Sequence, residues 1–158
     1  MRHIISVDPG KATGVCLVKW SGNQDDIPEI MMSGEVQPEE FAKWFETALS
    51  IAMSLNQVEN ISVVCERFTI TAQTVRNSQA PYSLEQIGVL KHLCRTNEFD
   101  PEKIVFQSPV DAKSMFPNPQ LKKVGTWHKG GEGHANDAIR HALLRLVKTG
   151  WQPRILLN

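Results

Sequence analysis

Four residues of types that bind divalent cations stand at punctuation points of the chain: Asp8, Glu66, His134 and Asp137. Asp8 closes the apolar run Ile4-Ile5-Ser6-Val7 and precedes the turn dipeptide Pro9-Gly10. Glu66 closes a second run, Ile61-Ser62-Val63-Val64-Cys65. Asp137 follows His134 by three residues at the start of an amphipathic stretch, and that spacing puts both on one helix face. Carboxylates gathered in one crevice repel each other and raise their own pKa values unless cations compensate. Oxygen ligands of this kind suit Mg²⁺ or Mn²⁺, and a pair of such ions supports in-line attack at phosphorus. Divalent-metal phosphodiester hydrolysis is therefore the chemistry expected if the fold brings the four together. Taken singly, each has a plainer reading: Asp8 as a turn residue, Glu66 as a solvated strand-end acid, Asp137 as a partner of the helix dipole, His134 as a cap.

The elements that must position these residues follow from periodicity and turn chemistry. Short β-rich runs predict strands over 3–8, 14–20, 29–36, 61–66 and 103–107, the first three forming an antiparallel meander. Pro38-Glu39-Glu40 opens a helix to about residue 55, with Phe41, Trp44, Phe45, Leu49 and Ala52 at helical spacing. Further helices are expected over 83–96, 109–116 and 134–148, separated by a polar loop at 71–81 and a Lys- and Gly-rich loop at 118–133. The order βββ-α-β-α-β-α specifies an α/β fold with a mixed five-stranded sheet flanked by helices. In such sheets the carboxyl ends of the strands form the usual ligand crevice, so Asp8 and Glu66 converge if their strands are neighbours.

A chain of 158 residues, 41% hydrophobic and 22% charged, is expected to form one compact domain over 1–158. No run is long and apolar enough for a membrane span, and none reads as a signal peptide. Cys16, Cys65 and Cys94 are odd in number and set in apolar surroundings, which suits free thiols in a reducing, cytoplasmic compartment. The net charge of zero argues at first against a polyanionic partner, but its distribution is uneven. Residues 1–60 hold four basic and nine acidic side chains, 61–110 five and five, and 111–158 eight and three. The last third alone offers a basic surface.

Ile4-Ile5-Ser6-Val7-Asp8-Pro9-Gly10 with Thr13-Gly14-Val15, Val63-Val64-Cys65-Glu66 and His134-Ala135-Asn136-Asp137-Ala138 together resemble the RuvC family of Holliday-junction resolvases, within the RNase H-like superfamily. The resemblance implies a homodimeric, Mg²⁺-dependent endonuclease with two ions per site, Mn²⁺ being able to substitute. Its substrate would be a four-way DNA junction, nicked symmetrically to leave 5′-phosphate and 3′-hydroxyl ends. Asp8, Glu66, His134 and Asp137 would be the catalytic and metal-binding group, with His134 either a ligand or an orienter of the attacking water. The resemblance also implies that Phe68 stacks on an unpaired base near the crossover and that the helix over 83–96 serves dimerisation. In this reading Lys113, Lys122, Lys123, Lys129 and Arg140 bind phosphates flanking the scissile bond, and Trp127 either stacks on a base or folds inward.

The basic loop over 118–133 departs from the family pattern, and the chain is less basic than a typical resolvase, as in a divergent, phage-type member. A nuclease of broader range, acting on flaps, forks or RNA-containing substrates, is the alternative within the fold. Asp8-Pro9-Gly10-Lys11-Ala12-Thr13-Gly14 also resembles the first phosphate loop of actin-like ATPases and sugar kinases, but those need two such domains. A non-catalytic nucleic-acid-binding module would have no use for the acids.

Overall fold

The computed structural model describes residues 1–76 and 80–156. Five strands, β1 (Arg2–Asp8), β2 (Thr13–Trp20), β3 (Glu29–Val36), β4 (Ile61–Glu66) and β5 (Val105–Gln107), form one sheet in the order β3-β2-β1-β4-β5. The meander β1-β2-β3 is antiparallel, whereas β1 with β4 and β4 with β5 are parallel. This is the expected mixed sheet.

Alternation along β1 sorts its side chains onto two cores. Ile5 and Val7 join Val15, Leu17, Val63 and Cys65 beneath α1 (Pro38–Leu55) and α3 (Ala80–Thr96), which supply Phe41, Phe45, Leu49 and Leu90. Ile4 faces the other way, joining Cys16, Val18 and Val64 against Ile139, Ala142 and Leu143 of the last helix. Asp8 has the parity of Ile4, and Glu66 that of Val64. Both acids therefore point to the face covered by the last helix.

Three sequence expectations need correction. Within 71–81, expected as a loop, Ala72–Arg76 forms a short helix (α2), and α3 begins at Ala80; residues 77–79 of that range lie outside the described residues. The cause of α2 is local: Thr71 Oγ1 accepts from the Thr74 N–H while Thr74 Oγ1 accepts from the Thr71 N–H, a reciprocal cap made from two threonines. After α4 (Pro109–Met115), the supposed loop over 118–133 opens with α5 (Asn118–Val124). Pro119 suits its first turn, and Gly125, at φ 82°, ends it in the left-handed conformation. The last strand is also shorter than expected, because Pro101–Lys103 forms a 3₁₀ turn capped by the Asp100 side chain. The final helix, α6, spans His134–Lys148 as predicted. No helix among the described residues is long and apolar enough to cross a membrane.

Candidate active site

One row of residues crosses all five strands near their site-bearing ends. Glu35 of β3 pairs with Gly14 of β2, and Gly14 pairs with Asp8 of β1. One step beyond the Val7 and Cys65 pair, Asp8 lies beside Glu66, which itself pairs with Gln107 of β5. Helix α6 is fastened to four members of this row. Asp8 and Gln107 stand two inter-strand spacings apart, about 10 Å, and the seven-residue rise from His134 to His141 amounts to about 10.5 Å. That match lets one helix address Asp8 with His134, and Gln107 with the intervening Glu66 through His141.

At the start of α6, Glu35 Oε1 accepts from the N–H groups of Gly133 and His134 at 2.8 and 2.9 Å, and Oε2 accepts from the Glu132 N–H at 2.9 Å. The helix has no cap from its own N-cap residue, Gly133, so a carboxylate from β3 satisfies the exposed donors instead. Burial works to raise the Glu35 pKa, but the N–H donors of Glu132, Gly133, Ala135 and His134 outweigh it and hold it below the ordinary value. Gly131 approaches the same carboxylate so closely, at φ 70°, that a side chain there would collide with it.

Behind this cap, the His134 imidazole Nδ1 lies 2.9 Å from Asp8 Oδ2. Asp8 is almost wholly buried; loss of solvation pushes its pKa up to about 6, with Glu66 and Asp137 adding to the rise and His134 opposing it. The hydrogen bond to Asp8 raises the His134 pKa, against the effect of burial. The turn after Asp8 is fixed from α3, where the buried Ser83 hydroxyl donates to the Pro9 carbonyl at 2.9 Å.

Asp137 is held differently. Its Oδ1 accepts from Arg140 and its Oδ2 lies 3.1 Å from Lys113 Nζ. Arg140, expected on the sequence to bind phosphate, is 6% exposed and also donates to the Phe116 carbonyl and to Asn118. Each of its three nitrogens makes one bond within the protein, so the guanidinium neutralises Asp137 and ties α6 to the start of α5, while Arg140 also lines a second cleft beside the first.

Asp8, Glu66, His134 and Asp137 line one cleft of about 640 Å³, together with Phe68 and Lys113. Lys122, Lys123 and Lys129 are exposed but do not line it, and Lys122 Nζ instead sits 5.0 Å over the half-buried Trp127 ring, which packs inward. Two further cations on the cleft, Lys11 and Arg67, are not among the residues expected to contact DNA, although Lys11 lies within the Asp8 to Gly14 motif and Arg67 directly follows the Glu66 motif. His141 and Glu35 escaped it too. His141 stands four residues after Asp137, on the stripe of His134, and that spacing was the available signal. Glu35 carries no such mark.

As to a divalent cation, no three His, Cys, Asp or Glu side chains among the described residues are grouped closely enough to hold one as they stand. The donor types nevertheless fit. A buried carboxylate whose pKa is raised by burial and by two neighbouring acids is a place where a cation relieves repulsion, and Glu66 Oε1 accepts no hydrogen bond among the described residues. Asp137 comes to the cleft already neutralised.

No family model matches the sequence, and no curated protein matches it significantly. Solved structures do. Thermus thermophilus RuvC in complex with Holliday junction substrate superposes with a TM-score of 0.63 at 14% identity, covering 96% of this chain and 99% of that one. A second Thermus thermophilus RuvC structure gives 0.54 at 16% identity, with 94% and 98% covered. In strand order, in mixed sheet and in extent, this chain has the RuvC fold, an RNase H-like sheet flanked by helices.

Proposed function

We propose that the chain is a RuvC-type endonuclease that cuts four-way DNA junctions with the help of divalent cations. The observation that carries this reading is the joint presence of Asp8, Glu66, His134 and Asp137 on one cleft of a RuvC fold whose solved neighbour is bound to a Holliday junction.

Asp8 and Glu66 would hold the first ion, with His134 beside them and Asp137 serving a second where Lys113 gives way. Bound Mg²⁺ supplies Lewis acidity at the phosphoryl oxygen and lowers the pKa of water. The chain's own groups do the rest. With His134 Nδ1–H donating to Asp8, Nε2 is left on the cleft side as the acceptor for a proton from the attacking water. Lys11, Arg67 and Lys113 place positive charge along the cleft wall, where phosphates flanking the scissile bond would lie. Phe68, half-buried on the same wall and outside both cores, is available to stack on an unpaired base. Cleavage leaves 5′-phosphate and 3′-hydroxyl ends.

A symmetric pair of nicks requires two such sites, hence a homodimer. Tyr82 and Leu84 are exposed on the first turns of α3, close to Ser83 on the cleft, and are proposed to lie in that contact. The three cysteines are buried and free, which accords with the reducing cytoplasm as the place of action.

The test is a cleavage panel with a four-way junction, a flap, a linear duplex and an RNA/DNA hybrid, each with Mg²⁺ and with EDTA. Symmetric nicking of the junction, absent in EDTA, is the expected result. Equal cutting of the flap or hybrid would replace this reading with that of a broader RNase H-like nuclease.

A further inference from the structure

We infer that His141 is a positioning residue for Glu66, and that Gln107 in turn orients His141. The inference rests on the divalent-cation reading of the cleft and concerns how one of its ligands is held.

His141 is fully buried in the third turn of α6. Its Nε2 lies 2.9 Å from Glu66 Oε2, and its Nδ1 lies 2.9 Å from Gln107 Oε1. Both ring nitrogens thus face oxygens, while the Gln107 amide nitrogen is buried without a partner. Turning that amide over resolves both difficulties together, since oxygen and nitrogen are interchangeable in shape. The Gln107 N–H then donates to Nδ1, and the imidazole presents its single N–H, on Nε2, to Glu66.

The consequence is directional. Glu66 and Gln107 are paired neighbours at the ends of β4 and β5, so the chain Gln107 to His141 to Glu66 is anchored on two strands and a helix. One carboxylate oxygen is fixed by His141, which leaves Oε1 as the oxygen presented to the cleft. A free glutamate at a strand end would lose rotamer entropy on binding a cation; one held from behind has largely lost it on folding.

The test measures Mn²⁺ affinity of the DNA-free protein at one pH by electron paramagnetic resonance, with thermal melting as the check on folding. The wild type binds Mn²⁺, and Glu66→Gln weakens that binding. His141→Phe keeps the ring volume without the donor and is expected to raise the Mn²⁺ dissociation constant about 10-fold to 100-fold. His141→Gln restores an N–H and recovers most of the loss. Gln107→Leu, with His141 intact, gives a smaller loss and decides the matter if His141→Phe does not fold. Wild-type affinity in a folded His141→Phe protein, or in Gln107→Leu should the former not fold, overturns the inference while leaving the Glu66 site standing. No Mn²⁺ binding by the wild type, or none that Glu66→Gln alters, overturns the divalent-cation reading and the inference with it.

Discussion

Gly14 lies directly beneath the first residue of α6, so close that a Cβ on it would overlap the His134 carbonyl. It is also the residue opposite Asp8 in the antiparallel ladder, so the missing side chain is what allows His134 to reach Asp8. Backbone on both sides leaves no flexible group to give way. Gly14→Ala is expected to cost about 2–3 kcal/mol, in the upper range of overpacking, and to abolish cleavage by lifting α6. Urea unfolding and a junction assay measure the two effects, and wild-type values for both would show that α6 does not need this contact.

Glu35 should act through the same helix end. Removing its carboxylate in Glu35→Ala leaves the N–H groups of Glu132, Gly133 and His134 without their acceptor. The loss expected is about 2 kcal/mol of stability, as for a strong helix cap. Turnover should fall because His134 is no longer held against Asp8, whereas junction affinity in EDTA should not change. Glu35→Gln, which keeps an acceptor oxygen, should lie between.

The Asp8 and His134 pair gives the cation-free protein a defined pH response. An acid whose folded pKa lies above its unfolded value is favourable to the fold while protonated, so the contribution of Asp8 is lost as the pH rises from about 4 to about 6. His134 is also raised, and its contribution is present below about 6.5 and lost as the pH climbs through its elevated value. Both act in the same direction. Glu35, held low, loses its contribution only as the pH falls through its depressed pKa, outside that window. In EDTA the melting temperature should therefore be higher at pH 5.5 than at pH 8, and the stabilisation by added Mg²⁺ should grow with pH. Asp8→Asn should flatten both trends.

Phosphate contacts should divide according to the cleft. Lys11→Ala with Arg67→Ala is expected to lower cleavage and to reduce the slope of log affinity against log salt by about 1–2. Lys122→Ala with Lys123→Ala should weaken junction binding with a shallower salt slope, yet leave turnover at saturating junction intact, because neither residue lines the cleft. Equal loss of turnover in both pairs would place the C-terminal lysines at the scissile phosphate instead.

How much of this was legible in the sequence depends on the range of the interaction. Strands β1 and β4 and helix α6 were plain, since alternation, a turn dipeptide and helical spacing are local signals, and each carries one of the acids. Helix α5 was hidden because its prolines and its terminating Gly125 read as loop residues when the packing of Leu121 and Val124 is not seen. The structural bonds of Arg140 were hidden for a related reason: its partners Asn118 and Phe116 are more than twenty positions away, and only the fold brings them to its guanidinium. Glu35 and His141 are ordinary in composition. Their role comes from the row across the sheet, which requires the registers of four strand pairs at once.

The most direct measurement is a comparison of the wild type with Asp8→Asn on a four-way junction, scoring binding and cleavage separately. The substitution removes a carboxylate charge from the centre of the cleft and leaves Lys11, Arg67 and Lys113 in place. The expected result is symmetric cleavage by the wild type in Mg²⁺, and junction binding without cleavage by Asp8→Asn. Undiminished cutting by Asp8→Asn, or a wild type that binds the junction and never cuts it in Mg²⁺ or Mn²⁺, would contradict the assignment of this cleft as a nuclease centre.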